Sequence, residues 1–216
     1  MKFQSTKLKE DLMEDKMLFF DTETNGLNSK EHSLLSICMI KGEPVFEKEM
    51  LKIKIIDIYE RFYFPVEDYN YGAINVNGLN EAVIRAKRNG ATYPKFFKDD
   101  SKDLIDFVGM DYKFVAHNIA FDEKFMPFPI DSSEEFCTMK NTTDILKLAW
   151  NEKYKTYKRP KLIEAVEFFN IDTKDIDADF HDAKFDILCT MKVFEAIYNT
   201  GHCKQKILDF IGNSLF

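Results

Sequence analysis

The stretch that decides the fold is residues 18–27, which read Leu18-Phe19-Phe20-Asp21-Thr22-Glu23-Thr24-Asn25-Gly26-Leu27. A compact apolar run of this kind predicts a buried strand, and the acidic residues come at its end. Because alternate side chains of a strand share a face, we expect Asp21 and Glu23 to lie side by side. Gly26 then permits a tight turn. The alternative is an ordinary surface turn between a strand and a loop, whose acidic residues have no catalytic role.

Two further stretches combine apolar segments with acidic residues: Phe114-Val115-Ala116-His117-Asn118-Ile119-Ala120-Phe121-Asp122 and His181-Asp182-Ala183-Lys184-Phe185-Asp186. Asp122 follows Asn118 by four residues, so the two share a helical face. His181 and Asp186 are about 140° apart on a straight helix, so they converge only if His181 precedes the helix or lies in its first turn. The alternatives are helix-capping roles for Asn118 and His181, with solvated aspartates.

The residue types in these stretches indicate metal chemistry. Converging carboxylates bind hard divalent cations such as Mg²⁺, which take oxygen ligands. A histidine adds a base that titrates near neutral pH. Taken together, the stretches predict a metal-dependent nuclease site.

Composition limits the class of protein. The chain has 216 residues and a net charge of −7, which fits one soluble domain and argues against bulk coating of nucleic acid. An enzyme that takes in one strand end remains allowed, because bound metals offset their carboxylates locally. The four cysteines show no C-x-x-C spacing, so we expect buried thiols rather than a zinc or disulfide framework. We find no secretory h-region and no apolar run long enough for a bilayer, and expect a cytoplasmic protein.

The pattern along the chain predicts three parts: a lead-in over 1–15, an α/β domain over 16–200, and a tail over 201–216 with a short helix. Strands are expected over 16–21, 32–40, 45–53 and 112–116, with a hairpin turn over 41–44. Helices are expected from Asn77 or Asn80 to about Arg88, and over 102–108, 117–126, 162–169 and 180–198. Strands first, followed by strands alternating with helices, indicate a mixed sheet flanked by helices.

In order and spacing, the three stretches resemble the motifs of the DEDDh (DnaQ-like) 3′–5′ exonucleases. Asp21-Thr22-Glu23-Thr24 with Gly26-Leu27 is similar to the first motif, His117-Asn118 with Phe121-Asp122 to the second, and His181-x-Ala183-x-x-Asp186 to the third. The resemblance runs from about residue 17 to 197. It implies a ribonuclease H-like α/β fold, a mixed five-stranded sheet whose first three strands are antiparallel, flanked by helices.

The resemblance also implies roles. Asp21, Glu23, Asp122 and Asp186 would hold two divalent metal ions, Mg²⁺ or Mn²⁺, and His181 would activate the attacking water. Substrate contacts would come from the same motifs, at Thr24, Gly26, Leu27, His117, Asn118 and Phe121. The sequence departs from the family at two positions: Asn77 stands where many members carry the histidine of Val-His-Gly, and Asp182 stands where Gly is common. Asp182 adds negative charge that could raise the pKa of His181.

A basic segment lies between the second and third motifs. Residues 153–161 hold five positive charges and two tyrosines. We expect Lys155, Tyr157, Lys158 and Arg159 to grip a single-stranded backbone and stack on bases. The alternative is a solvated surface loop. Arg85, Lys87 and Arg88 form a second basic group, interpreted as a solvated helix face.

The leading hypothesis is a 3′–5′ exonuclease acting on the 3′ end of single-stranded or frayed DNA in proofreading or repair. A DEDDh ribonuclease that trims RNA 3′ ends or oligoribonucleotides is the alternative, which the motifs do not separate from the first. A non-catalytic polymerase scaffold is a third reading, disfavoured by the intact set of four carboxylates and a histidine. The tail Asn213-Ser214-Leu215-Phe216 resembles sliding-clamp-binding peptides, which would tether the chain to a polymerase or clamp; packing of a tail helix on the core is the alternative.

Overall fold

The computed structural model describes residues 16–110, 112–174, 176 and 182–212. Its main sheet has five strands in the order β3-β2-β1-β4-β5. They are β1 Lys16–Thr24, β2 Leu34–Glu47, β3 Met50–Phe62, β4 Tyr112–Ala116 and β5 Glu135–Cys137. Strands β1, β2 and β3 are antiparallel, whereas β4 runs parallel to β1 and β5 parallel to β4. The predicted ribonuclease H-like sheet is therefore confirmed.

Helices cover both faces of this sheet. They are α1 Tyr71–Asn77, α2 Glu81–Lys87, α3 Ser101–Val108, α4 Ile119–Asp122, α5 Thr138–Leu146, α6 Leu162–Phe168, α7 Ala183–Asn199 and α8 Lys204–Phe210. A small hairpin, β6 Trp150–Asn151 with β7 Thr156–Tyr157, lies between α5 and α6. Asn80 caps α2 by accepting a hydrogen bond from the backbone of Val83. Asn77 instead ends the separate helix α1, which the sequence pattern did not distinguish.

Strand β1 divides the hydrophobic core because its side chains alternate between the two faces of the sheet. Met17 and Phe19 pack in one cluster with the buried face of α7. Leu18 and Phe20 pack in a second cluster on the opposite face, together with residues of α3 and α4. The same alternation carries on into the acidic end of the strand, so residues 21 and 23 continue the face that α7 covers.

The predicted hairpin is present, but its turn over 41–44 is wrong. Strand β2 continues to Glu47, and the turn is made by Lys48 and Glu49, whose φ angles are 49° and 70°. Pro44 is tolerated because β1 pairs with β2 only as far as Gly42, beyond which β2 has a neighbour on one side alone. Gly42 marks a β-bulge, where a Cβ atom would lie 2.5 Å from Ile53 Cγ2. The glycine and the proline thus lie within a long strand, which continues past them to Glu47.

The described part of the tail packs on the domain. Ile207 and Ile211 are fully buried in the same cluster as α7. The lead-in over 1–15 and the clamp-like residues 213–216 lie outside the described residues. All four cysteines are free, and Cys38, Cys137 and Cys189 are buried. Among the described residues, no helix is both long and apolar enough to cross a membrane.

The outer edge of β3 is partly closed by side chains of α7. Asn199 accepts a hydrogen bond from Leu51 N at 2.7 Å and donates one to Leu51 O at 2.9 Å, as a neighbouring strand would. Glu195 accepts one from Ile53 N at 2.6 Å. These contacts satisfy backbone groups that an edge strand would otherwise leave unpaired, and they fix α7 against the sheet.

We expect Asn199→Ala to lower the free energy of unfolding by about 1–3 kcal/mol, because the buried Leu51 would lose both partners. Asn89→Ala removes the same atoms from an exposed position and should change stability by less than about 0.5 kcal/mol. Urea denaturation of both variants measures the difference. Equal effects would show that the Asn199 contacts do not support the edge.

Candidate active site

Three carboxylates converge at the carboxyl end of β1. Asp21 and Glu23 are on this strand, and Asp186 is on α7, one turn from the helix start. Carboxylate oxygens of the three residues lie within 4.8 Å of one another. Neither strand nor helix could build this cluster alone. The packing of α7 on the face of β1 that carries residues 17, 19, 21 and 23 brings Asp186 to the other two.

Asp122 is the fourth carboxylate and lies next to this cluster. It is on α4, is only 3% exposed, and its Oδ1 accepts hydrogen bonds from Thr22 N at 3.0 Å and Thr22 Oγ1 at 2.7 Å. Strand β4, parallel to β1, ends just before α4 and sets its position. Since both bonds engage Oδ1, the second oxygen, Oδ2, is the candidate ligand atom. Thr22 belongs to the first motif, but the sequence does not indicate that it orients Asp122.

Burial and mutual repulsion make the ionised carboxylates costly. Burial raises the pKa of Asp21 well above its usual range, and the charges of Asp122, Glu23 and Asp186 raise it further. Burial, followed by the charge of Asp186, raises the pKa of Glu23 to about 8. Burial likewise raises the pKa of Asp122 to about 7, although the hydrogen bonds from Thr22 oppose the shift. A hard divalent cation would relieve this repulsion, and the all-oxygen donor set fits Mg²⁺ or Mn²⁺.

The turn after β1 is held by a buried asparagine. Asn25 is fully buried and donates to Glu67 Oε1 at 2.8 Å and to Asp68 O at 2.9 Å, while its Oδ1 accepts from Asn70 N. Glu67 also accepts from the backbone and the hydroxyl of Ser33. A Cβ atom at Gly26 would lie 2.5 Å from the His32 ring, so any larger residue here would displace that ring. No sequence pattern indicates Glu67 as the partner of Asn25, because the two residues are 42 positions apart.

This turn borders a cleft of about 420 Å³ beside the carboxylates. One wall is the end of β1 and the turn, and the other is α1; Phe121 completes the lining. Of the predicted substrate contacts, the cleft is lined by Thr24, Gly26, Leu27 and Phe121. Leu27 is 81% exposed at the rim. Asn77, the first departure from the family motif, donates to Thr24 O at 3.0 Å and so joins α1 to β1.

His117 and Asn118 are arranged differently from the other predicted contacts. His117 Nδ1 lies 2.9 Å from Thr138 Oγ1, and its Nε2 lies 3.1 Å from Pro160 O. Burial lowers its pKa to about 4, so the ring is neutral at pH 7 and its contact with Pro160 requires Nε2 to donate. Asn118 has a φ of 74° and makes no side-chain cap, so the capping alternative is wrong. His117 therefore joins the end of β4 to the end of the basic segment.

The basic segment forms the β6–β7 hairpin and the residues after it. Lys155 pairs with Glu152 at 2.7 Å, and Lys158 pairs with Glu164. Tyr157 packs edge-on against Trp150 with ring centres 5.1 Å apart. Within the described residues, Arg159 forms no ion pair. Tyr154, one of the two tyrosines of this segment, is 66% exposed, and Trp150, which lies outside the predicted segment, adds a further aromatic surface that is 48% exposed.

His181, the predicted base, lies outside the described residues, and its role stays a prediction. The residue after it is described. Asp182 caps α7, since its Oδ1 accepts a hydrogen bond from Lys184 N at 3.1 Å. The start of the helix that carries Asp186 is thereby fixed.

The raised carboxylate pKa values predict that the metal-free protein loses stability as pH rises. Glu23 and Asp122 have folded pKa values of about 8 and 7, above those of the unfolded chain, which are about 4.3 and 3.9. Between these values the folded state binds more protons, so the free energy of unfolding falls from about pH 4 to 8. Thermal melts in EDTA from pH 5 to 9 measure this decline, which Mg²⁺ should reduce.

Glu23→Gln removes one of the titrating groups, so its metal-free melting temperature should decline less with pH and exceed that of the parent protein at pH 8. Glu49→Gln, at the exposed hairpin turn, should leave the decline unchanged. A parent protein whose stability does not fall over this pH range would contradict the electrostatic account.

The fold and sequence resemble known nucleases. Exonuclease X, in a complex with 5′ overhanging duplex DNA, superposes with a TM-score of 0.56 at 18% identity, covering 91% of this chain and 99% of that one. Escherichia coli exonuclease I in a complex with a dT13 oligonucleotide superposes with a TM-score of 0.63 at 14% identity, covering 90% of this chain and 43% of that one. These likenesses support the ribonuclease H-like fold.

The PolC-type DNA polymerase III of Streptococcus pyogenes serotype M5 (strain Manfredo) is 27% identical over 161 residues, which are 74% of this chain and 10% of the polymerase. This chain thus spans about a tenth of the length of that relative. The sequence also matches the exonuclease family RNase_T over residues 18–194, which contain all three motifs. The resemblance noted in the sequence is confirmed, and the chain belongs to the RNase_T exonuclease family.

Proposed function

We propose that this chain is a metal-dependent 3′–5′ exonuclease that releases nucleoside 5′-monophosphates from the 3′ end of single-stranded or frayed DNA. The observation that carries the proposal is the convergence of Asp21, Glu23 and Asp186, with Asp122 beside them, at the mouth of a cleft. Three separate segments of the chain supply these carboxylates. Because these carboxylates are partly buried and repel one another, they destabilise the fold unless a cation is bound.

Asp21, Glu23, Asp122 and Asp186 would hold two divalent ions, Mg²⁺ or Mn²⁺. When bound, such ions neutralise charge on a phosphate and lower the pKa of a coordinated water. The protein's own contribution is to hold the four side chains in place: Thr22 orients Asp122, and α7 brings Asp186 to β1. His181 would accept a proton from the attacking water, as the third motif implies.

The cleft would receive the terminal nucleotide. Its volume of about 420 Å³ lies within the range usual for small-ligand sites, about 300–1,000 Å³. Leu27 and Val76 are exposed apolar side chains on opposite sides of the opening and would contact the terminal base. Asn25 and Asn77 keep the two walls at a fixed separation through their bonds to Asn70 and Thr24. The carboxylates would then lie beside the last phosphodiester.

DNA is the proposed substrate because relatives and structural neighbours are described with DNA. The Exonuclease X and exonuclease I structures contain DNA, and the PolC-type relative is a DNA polymerase. A proofreading or repair role, and association with a polymerase or sliding clamp, follow as part of the same proposal. RNA trimming is the alternative outcome of the test below.

The activity test uses single-stranded DNA labelled at the 3′ or the 5′ end, and an RNA oligomer of the same sequence, with Mg²⁺ or EDTA. We expect Mg²⁺-dependent release of monophosphate from the 3′ end, faster on DNA. Asp21→Asn should reduce turnover at least about a hundred-fold by disrupting metal binding. Asp106→Asn, at an exposed ion pair on α3, is the matched control and should keep full activity.

Faster hydrolysis of the RNA oligomer would move the assignment to a ribonuclease. Absence of hydrolysis on both oligomers, with binding retained, would favour the scaffold reading. Calorimetric titration with Mn²⁺ separates these outcomes from a misfolded preparation, because the wild-type cluster should bind the ion and Asp21→Asn should bind it more weakly.

The basic segment supplies a second test of the proposal. His117 holds Pro160 beside the carboxyl end of β4. Arg159 therefore lies near the end of the sheet at which the carboxylates are found. An arginine there can contact a phosphate of the incoming strand. We expect Arg159→Gln to raise KM about threefold to tenfold, to leave kcat within about twofold, and to reduce the salt dependence of KM.

Lys52→Gln makes the same change of charge near the β2–β3 turn, at the opposite end of the sheet. It should leave KM and its salt dependence unchanged. Equal responses of the two variants would mean that the effect of Arg159 is one of net charge, and that the basic segment is the solvated loop of the alternative reading.

A further inference from the structure

The outer edge of β3 is closed by side chains at both ends of the strand. At one end, side chains of α7 bond the backbone of Leu51 and Ile53. At the other end, Phe62 N donates a hydrogen bond to Tyr93 Oη at 3.1 Å, and Phe62 O accepts one from the guanidinium of Arg88. Such contacts protect an edge strand from pairing with another chain.

The middle of β3 lacks this protection. In an antiparallel pair, the N–H and C=O groups of alternate residues face away from the neighbouring strand. Because the bulge opposite Gly42 shifts this alternation by one position, the outward-facing residues in the middle of β3 are Ile55, Ile58 and Glu60. Ile58 N donates to the adjacent Asp57 Oδ1 at 2.9 Å. Among the described residues, no side chain bonds the backbone of Ile55 or Glu60, so this part of the edge can pair with another strand.

The same part of the strand carries exposed apolar side chains. Ile55, Ile56 and Ile58 are 42%, 48% and 40% exposed. Ile55 and Ile58 lie on the face of the sheet that carries Ile53, which packs in the cluster of α7. Edge strands are commonly kept apart by charged side chains, whereas three isoleucines within four positions favour contact. The open edge thus combines free backbone groups with an apolar surface.

We propose that two copies of this chain associate through antiparallel pairing of their β3 strands. Ile55 of each copy lies opposite Ile58 of the other, because this register brings outward-facing backbone groups together on both strands. A two-fold axis between the strands repeats the pair. Ile58 N then donates to Ile55 O of the second copy, which frees the carboxylate of Asp57. This association is independent of the nuclease activity.

The charges beside the isoleucines identify the second strand as a copy of β3. In the proposed register, Lys54 lies diagonally across from Asp57 of the second copy, and both side chains are on the face opposite to the isoleucines. The Lys54 side chain is 65% exposed, 3.6 Å from Glu43. Asp57 is exposed and forms no ion pair within the described part of the chain. The two-fold axis makes the Lys54–Asp57 contact occur twice, so the edge is complementary to itself.

Sedimentation velocity of the full chain from about 1 to 200 µM tests the association. We expect a shift from monomer to dimer with a dissociation constant of about 1–100 µM, since a short strand pairing gives a small interface. Ile58→Lys should weaken the dimer at least about tenfold by placing a charge against Ile55 of the second copy. Ile105→Lys makes the same change on α3, where the isoleucine is 44% exposed, and should leave the dimer unchanged.

A charge exchange tests the register. Lys54→Asp and Asp57→Lys each bring like charges together at both symmetric contacts, so each variant alone should dimerise about fivefold more weakly. An equimolar mixture of the two variants restores opposite charges at both contacts and should dimerise about as well as the parent. A mixture that associates no better than the separate variants would overturn the proposal.

Hydrogen exchange shows whether the backbone of the edge takes part. The amides of residues 54–60 should exchange more slowly at high protein concentration than at low concentration. A chain that stays monomeric throughout the range, or a dimer that Ile58→Lys does not weaken, would refute the pairing. Slow exchange of these amides at every concentration would also refute it, because another segment of the same chain would then cover the edge. Melting temperatures within a few degrees of the parent confirm that the variants are folded.

Discussion

Repulsion between four carboxylates is the constraint on which the arrangement of this molecule depends. Asp21, Glu23 and Asp186 lie within 4.8 Å of one another, and Asp122 is buried beside them. Such a cluster forms only where the surrounding fold stabilises it. The stability comes from the apolar parts of the same elements, because the four residues of β1 that lie between Lys16 and Asp21 are all buried. The core and the candidate site thus share strand β1: its first part packs in the core, and its carboxyl end carries Asp21 and Glu23.

The site is supported by polar contacts that join segments far apart in sequence. Asn25 and Asn77 fix the turn and α1 on either side of the cleft. His117 links the end of β4 to the basic segment, and Lys87 links α2 to Asp182. These contacts join loops, helix ends and strand ends, and none involves the middle of a strand. This arrangement fits a rigid framework of strands and helices that holds the candidate metal ligands, with neighbouring loops that hold the proposed substrate contacts.

The departures from the family motif have physical explanations in this chain. Asn77 stands in place of a histidine. Its side-chain amide donates a hydrogen bond to Thr24 O at the end of β1 and accepts one from Leu79 N, so it has a structural role. Asp182 replaces a glycine and gains both a capping role and an ionic partner. A glycine at that position could make neither side-chain contact. The start of α7 is therefore held differently in this chain than in a member with glycine there.

The sequence by itself determined the strand that reaches Asp21, the placement of Asp21 and Glu23 on one face of it, and the family. Period-two alternation and the short motifs are patterns of neighbouring residues, so they can be recognised without the fold. It misplaced the β2–β3 turn, since the glycine and proline that suggest a turn are accommodated where β2 loses one neighbour. Only the tertiary structure decided that Thr22 orients Asp122, that Glu67 anchors Asn25, and that Lys87 meets Asp182. These partners lie 42 to 100 residues apart, and their contacts arise from packing, which no local pattern encodes.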